Sequence, residues 1–147
     1  MIREATRDDI ERLVLLGSFM HRESERFEAL AFDAQRLENT LATVIESAQG
    51  FAWVAESRGL VVGGMVAMIT PHWFSPDLTA CDLALFMLPE HRGTMAPARL
   101  LNAYAAWARN QGAKQVLLGL MTGLHVEQTQ ALCERLGWRR AGVVMEI

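Results

Sequence analysis

The chain has 147 residues, 51% of them hydrophobic and 21% charged, with a formal net charge of -3. That is enough chain for one domain with a real core, here taken as residues 1–147, and the composition is that of a globular protein, not a disordered one. No Lys/Arg-rich block is present, so a nucleic-acid partner is not favoured, and no apolar run reaches membrane-spanning length. The two cysteines, Cys81 and Cys133, match no metal spacing and no disulfide framework. A reduced, cytoplasmic protein without a metal is therefore expected, and the charged start MIREATRDDIERL is unlike a signal peptide.

Residues 2–5 read as a short strand. Thr6, with an acid three residues later at Asp9, has the form of a capping box. Ile10, Leu13 and Val14 then follow at helical spacing, and Gly17 and Ser18 weaken that helix near its end. The charged segment 21–33 shows no clean period and reads as a loop or broken helix. Asp33 can cap a second helix, whose apolar stripe is Leu37, Leu41, Val44 and Ile45 and which Gly50 stops. FAWVAES and LVVGGMVAMIT read as strands joined by a turn at Ser57, Arg58 and Gly59. A loop bounded by Pro71 and Pro76 leads to the strand ACDLALFML.

Pro89 ends that strand. From Pro97 to Gln111 the pattern is helical, with Leu100, Leu101, Tyr104, Trp107 and Ala108 on one face, and Gly112 suits its stop. KQVLLGLM reads as a buried strand. Val126, Leu132, Cys133 and Leu136 line a last helix closed by Gly137, and WRRAGVVMEI reads as a final strand. The expected order is β-α-α-β-β-β-α-β-α-β, a mixed α/β fold with a central mixed sheet of six to seven strands and about four helices.

The turn PEHRGTMAPARLL, residues 89–101, carries the chemistry. A strand ends and a helix begins, and the first N–H groups of a helix have no internal partners and sit at its positive pole. Such an end accepts an anion. Thr94, Met95, Ala96 and Ala98 offer backbone N–H groups, and Arg92 and Arg99 offer charge. Pro97 suits the first helical turn, where its missing N–H has no partner to lose. By itself the turn reads first as an ordinary strand-to-helix connection with proline at its start.

The stretch LFMLPEHRGTMAPARLLNAYAAWARNQGAKQVLLGLMTG and the later LCERLGW together resemble the central motif of the GNAT superfamily of acyl-CoA N-acyltransferases. The likeness extends over nearly the whole chain, from IREATRDDIERL onward, and is nearest to the short bacterial and phage members. It implies an acetyltransferase that uses acetyl-CoA as cosubstrate and acetylates a primary amine by direct attack in a ternary complex. It implies a CoA pyrophosphate held by Arg92, Gly93, Thr94, Met95, Ala96, Ala98 and Arg99. It also implies a thioester oxygen held by a backbone N–H near Phe86 or Met87. Two departures stand out. Both later glycines of the loop are replaced, giving R-G-T-M-A-P. Cys133 stands where many members have the tyrosine that protonates the leaving thiolate.

Cys133 is thus a candidate proton donor, although its helical face is apolar and suits a core residue. Asp82 and His72 are the candidate bases. Glu23, Phe27, Trp73 and Phe74 are candidates for the acceptor pocket, with Asp77 a further charge beside them. The acceptor is a small-molecule or peptide amine of unidentified kind. A homodimer, completed through the C-terminal strand, is one expectation from the resemblance. The alternative reading is a catalytically weak or inactive member that binds CoA or a protein partner.

Overall fold

A computed structural model describes residues 1–147. Its strands are β1 (Ile2–Glu4), β2 (Gly50–Ser57), β3 (Leu60–Pro71), β4 (Leu78–Met87) and β5 (Gln115–Leu117). Its helices are α1 (Ile10–Glu23), α2 (Ala34–Glu46), α3 (Ala96–Asn110) and α4 (Val126–Arg135). The five strands form one mixed sheet in the order β1-β2-β3-β4-β5, antiparallel except for the parallel β4–β5 pair.

The ends of these elements follow from local chemistry. Asp9 accepts from the Thr6 N–H at 2.8 Å and its hydroxyl at 3.3 Å, so the side chain closes the first turn. Arg3 then grips Asp9 through both nitrogens, at 2.8 and 2.9 Å, and Glu56 at 2.7 Å, tying β1 to α1 and β2. The Arg3 guanidinium holds the Asp9 carboxyl below its ordinary value. Asp33 caps α2 by accepting from the Arg36 N–H at 3.0 Å. The β2–β3 turn places Arg58 and Gly59 at φ 51° and 78°, the twist that a two-residue hairpin requires.

Helices cover both faces of the sheet, which explains why β3 is apolar almost throughout. One face packs Phe51, Met65, Ile69 and Ala80 against Leu100, Leu101, Tyr104 and Cys133 of α3 and α4. The other packs Ala52, Val54, Val66 and Phe86 against Leu13, Leu16, Leu41 and Val44 of α1 and α2. Alternation along β2 (Phe51, Ala52, Val54, Ala55) deals successive side chains to the two layers.

Three expectations are corrected. The sheet has five strands, not six to seven. The segment after Trp138 forms no strand: the outer strand β5 offers only three residues to pair with, and Val143, Val144 and Met145 stand exposed. Helix α1 runs past Gly17 and Ser18 to Glu23, because Leu13 and Leu16 bury against the sheet and outweigh the propensity cost of one glycine.

Candidate active site

The site begins with a fault in the sheet. Val66 pairs with Ala84 while Ala67 pairs with Asp82, so Leu83 is an extra residue in β4. A bulge of this kind bends the strand and re-aims the side chains beyond it. On its other side β4 pairs with β5 only at Thr79, Ala80 and Cys81. From Asp82 to Met87 the edge of β4 has no partner, and a fork opens between the two strands.

Two side chains fix the crotch of the fork. Asp82 Oδ1 accepts from the Gly119 N–H at 2.6 Å, across the point where the ladder stops. The Tyr104 hydroxyl, on α3, donates to the Leu117 carbonyl at 2.7 Å and holds the end of β5. Burial pushes the Asp82 carboxyl above its ordinary value, and the Gly119 N–H offsets part of that.

The open edge presents donors. Leu88 donates its N–H to the Val62 carbonyl at 2.9 Å, toward β3. By strand alternation the Phe86 N–H also points to β3, and those of Leu85 and Met87 point into the fork. Of the two residues expected to hold the thioester oxygen, Met87 has its N–H facing the fork and Phe86 has its N–H facing β3.

Beyond β4 the chain turns at residues 89–95 and enters α3 at Ala96, one residue earlier than the sequence pattern predicts. The N–H groups of Gly93, Met95 and Ala98 donate to no acceptor in the chain, and that of Ala96 reaches only the Thr94 hydroxyl at 3.3 Å. Gly93 faces open space: a Cβ there would meet nothing within 4 Å. The fold does not need a glycine at this point, whereas a ligand approaching the backbone does.

Fork and turn together line one cleft of about 950 Å³. It brings together Asp82, Phe86, Met87, Arg92, Gly93, Thr94, Met95, Ala98 and Phe27 from the candidate residues. Ala96 and Arg99 face a smaller hollow of about 210 Å³ beside His91 and Met1. Glu23 stands behind Arg92 as a two-pronged partner, at 2.6 and 2.5 Å, and Arg92 also donates Nε to the Met87 carbonyl at 3.0 Å. Arg92 holds the Glu23 carboxyl below its ordinary value.

The remaining candidates lie elsewhere. Cys133 is 6% exposed, packs in the core with Tyr104 and Leu101, and does not line the cleft; burial pushes its thiol up. His72, Trp73 and Phe74 cluster at the β3–β4 turn, on the far side of the β4–β5 ladder from the fork. Trp73 is 88% and Phe74 71% exposed.

Sequence reasoning missed His125, which lines the cleft from the start of α4 in a left-handed conformation, φ 47°. It also missed Gly119 and the apolar wall of Leu120, Met121 and Leu124. Only the breakers Gly119 and Gly123 signalled that KQVLLGLM stops early as a strand.

An open parallel pair, a bulge at its crotch and free amides at a helix start make a slot for an extended ligand with an anionic end. A model of the acetyltransferase (GNAT) family matches residues 14–138.

The chain belongs to the GNAT family.

A mouse relative named probable N-acetyltransferase family 8 member 5 is 33% identical over 120 residues, covering 78% of this chain and 51% of its own length. The chain thus spans about half the length of that curated relative. Among solved structures, AAC(6')-Iy in complex with the bisubstrate analogue CoA-S-monomethyl-acetylneamine superposes with a TM-score of 0.79 at 15% identity, over 100% of this chain and 95% of that one. The ribosomal-protein-alanine N-acetyltransferase of Brucella melitensis biovar Abortus 2308 gives 0.71 at 15% identity, over 100% and 99%. These superpositions show a shared fold. No helix is long and apolar enough to cross a membrane.

Proposed function

We propose that this chain transfers an acetyl group from acetyl-CoA to a primary amine by direct attack while both are bound. The observation that carries the proposal is the unpaired edge of β4 running from Asp82 to the free amides at the start of α3. An extended pantetheine arm would complete the sheet there, with its pyrophosphate at the Gly93, Met95 and Ala98 N–H groups. The Met87 N–H would hold the thioester oxygen as charge develops on it.

Asp82 is the group we assign to the acceptor. A primary amine arrives mostly as ammonium, and a half-buried carboxylate with raised proton affinity is suited to take one proton from it. The nitrogen lone pair then forms the C–N bond, the C–S bond breaks, and the remaining ammonium proton passes to the departing thiolate. Holding both reactants in one slot contributes most of the help, about 7–11 kcal/mol in well-oriented models.

The second reading is a CoA-binding module without turnover. It is favoured by Cys133, which occupies the position of the family's tyrosine and sits in the core. Calorimetric titration with acetyl-CoA, with adenosine and pyrophosphate as controls, tests binding, and thiol release with added amines tests transfer. Binding without release under any amine supports the module; no binding sinks both readings.

A further inference from the structure

The cleft divides by chemistry. The free amides at the start of α3 mark its anionic end, and the crotch at Asp82 marks the reacting centre. What remains is the opposite wall: Met20, Phe27, Leu120, Met121 and Leu124, with His125 at its edge. This wall is anchored. The Ser24 hydroxyl donates to the Thr122 carbonyl at 2.5 Å, and Arg26 donates to the Met121 carbonyl.

Its charge is lopsided. Asp82 is the sole acidic side chain lining the cleft, against Arg135, with Arg92 already paired to Glu23. Two nearby carboxylates are already engaged, Glu23 by both prongs of Arg92 and Glu146 by Arg26. One positive charge therefore finds a partner, at the crotch. A second would lie against methionine and leucine side chains with no counter-charge, and an unpaired charge in apolar surroundings is costly.

We propose that the acceptor is a monoamine on an apolar body, of the arylalkyl or branched alkyl class, and that polycationic amines are poor acceptors. The inference rests on the acetyl-transfer reading. Excluding polycations separates this site from that of the similarly folded protein whose bound analogue is built on neamine.

The test is thiol release from acetyl-CoA with 2-phenylethylamine, 3-methylbutylamine, spermidine and kanamycin, using the whole chain. The two apolar amines should exceed both polycations by about tenfold or more in kcat/KM, the scale on which pocket contacts discriminate. Leu124→Glu puts a carboxylate on the wall and should shift the spermidine to 2-phenylethylamine ratio by about tenfold toward spermidine. Equal or better use of a polycation by the natural chain overturns the inference and leaves acetyl transfer standing. An unmoved ratio in a folded Leu124→Glu protein also overturns it. Release with none of the four amines overturns the inference, while the acetyl-transfer reading is then decided separately by acetyl-CoA binding and by release with other amines.

Discussion

Arg92 and Glu23 meet as a planar, two-pronged ion pair, 2.6 and 2.5 Å long, joining residues 69 apart in the chain. Arg92 is thus engaged by the end of α1 and by the Met87 carbonyl, and it braces the turn at residues 89–95. Arg92→Ala and Glu23→Ala should each cost about 1–3 kcal/mol, with a coupling of about 1–2 kcal/mol between them in a denaturation cycle. Were Arg92 chiefly a pyrophosphate ligand, Glu23→Ala would release it and tighten acetyl-CoA binding. We expect weaker binding instead, measured by calorimetry.

Gly93 separates folding from binding. Its missing Cβ would meet nothing in the chain, so Gly93→Val should move the denaturation midpoint little. Gly93 lines the cleft beside the free amides, so the same side chain takes up space at the cleft wall. Acetyl-CoA affinity should fall by about tenfold or more, roughly 1.4 kcal/mol. An unchanged affinity would remove the turn from the binding site.

Asp82 should show opposite effects on stability and activity. Its folded pKa is raised, so its contribution to stability is greatest at low pH and is lost as pH rises through that value. At neutral pH the charged form is a burden, and Asp82→Asn, which keeps an acceptor for the Gly119 N–H, should melt higher. The rate should drop by about 10²- to 10⁴-fold. The acid limb of the natural enzyme's kcat/KM profile, set above ordinary carboxylates by this group, should vanish in the variant.

Asp9 has the reverse sign. Arg3 lowers its folded pKa, so the stabilisation is full above its unfolded value, near 3.8, and is lost as pH falls through the folded one. Urea midpoints measured from pH 6 down to pH 2 should therefore fall steeply, and less steeply in Asp9→Asn. Equal slopes would mean that the Arg3 pair contributes nothing.

Much of the fold was legible because it rests on short-range rules. Thr6 with Asp9, Asp33 before α2, and the glycines at 112 and 137 punctuate the chain where the structure does, the latter two at φ 86° and 92°. Tyr104 is fully buried, as its helical stripe implied. The resemblance pointed to the turn at Arg92 and Gly93 and to Met87, and all three line the cleft. What stayed hidden depends on register between distant strands. Leu83 looks like any strand leucine until Ala84 and Asp82 are matched against Val66 and Ala67. Asp82 gains meaning only opposite Gly119, and Arg92 only opposite Glu23. Cys133 shows the limit of motif transfer, since the position carries over and the exposure does not. Trp73 and Phe74 show that an aromatic pair in a loop does not say which loop end borders a cleft.

The sheet keeps the order of the chain, and β2 to β4 can assemble from adjacent pieces. The two outer seams, β1–β2 and β4–β5, must wait for the helices that lie between their strands in the chain, and each is three residues long. The gap beside β4 is thus bordered by one of the two shortest joints of the sheet. Amide protons at Val116 and Leu117 should exchange with solvent sooner than those at the middle of β3, and filling the gap with a tight-binding CoA ester should slow them most. Occupancy and cohesion are in this way one variable: the molecule is most completely zipped when it is loaded.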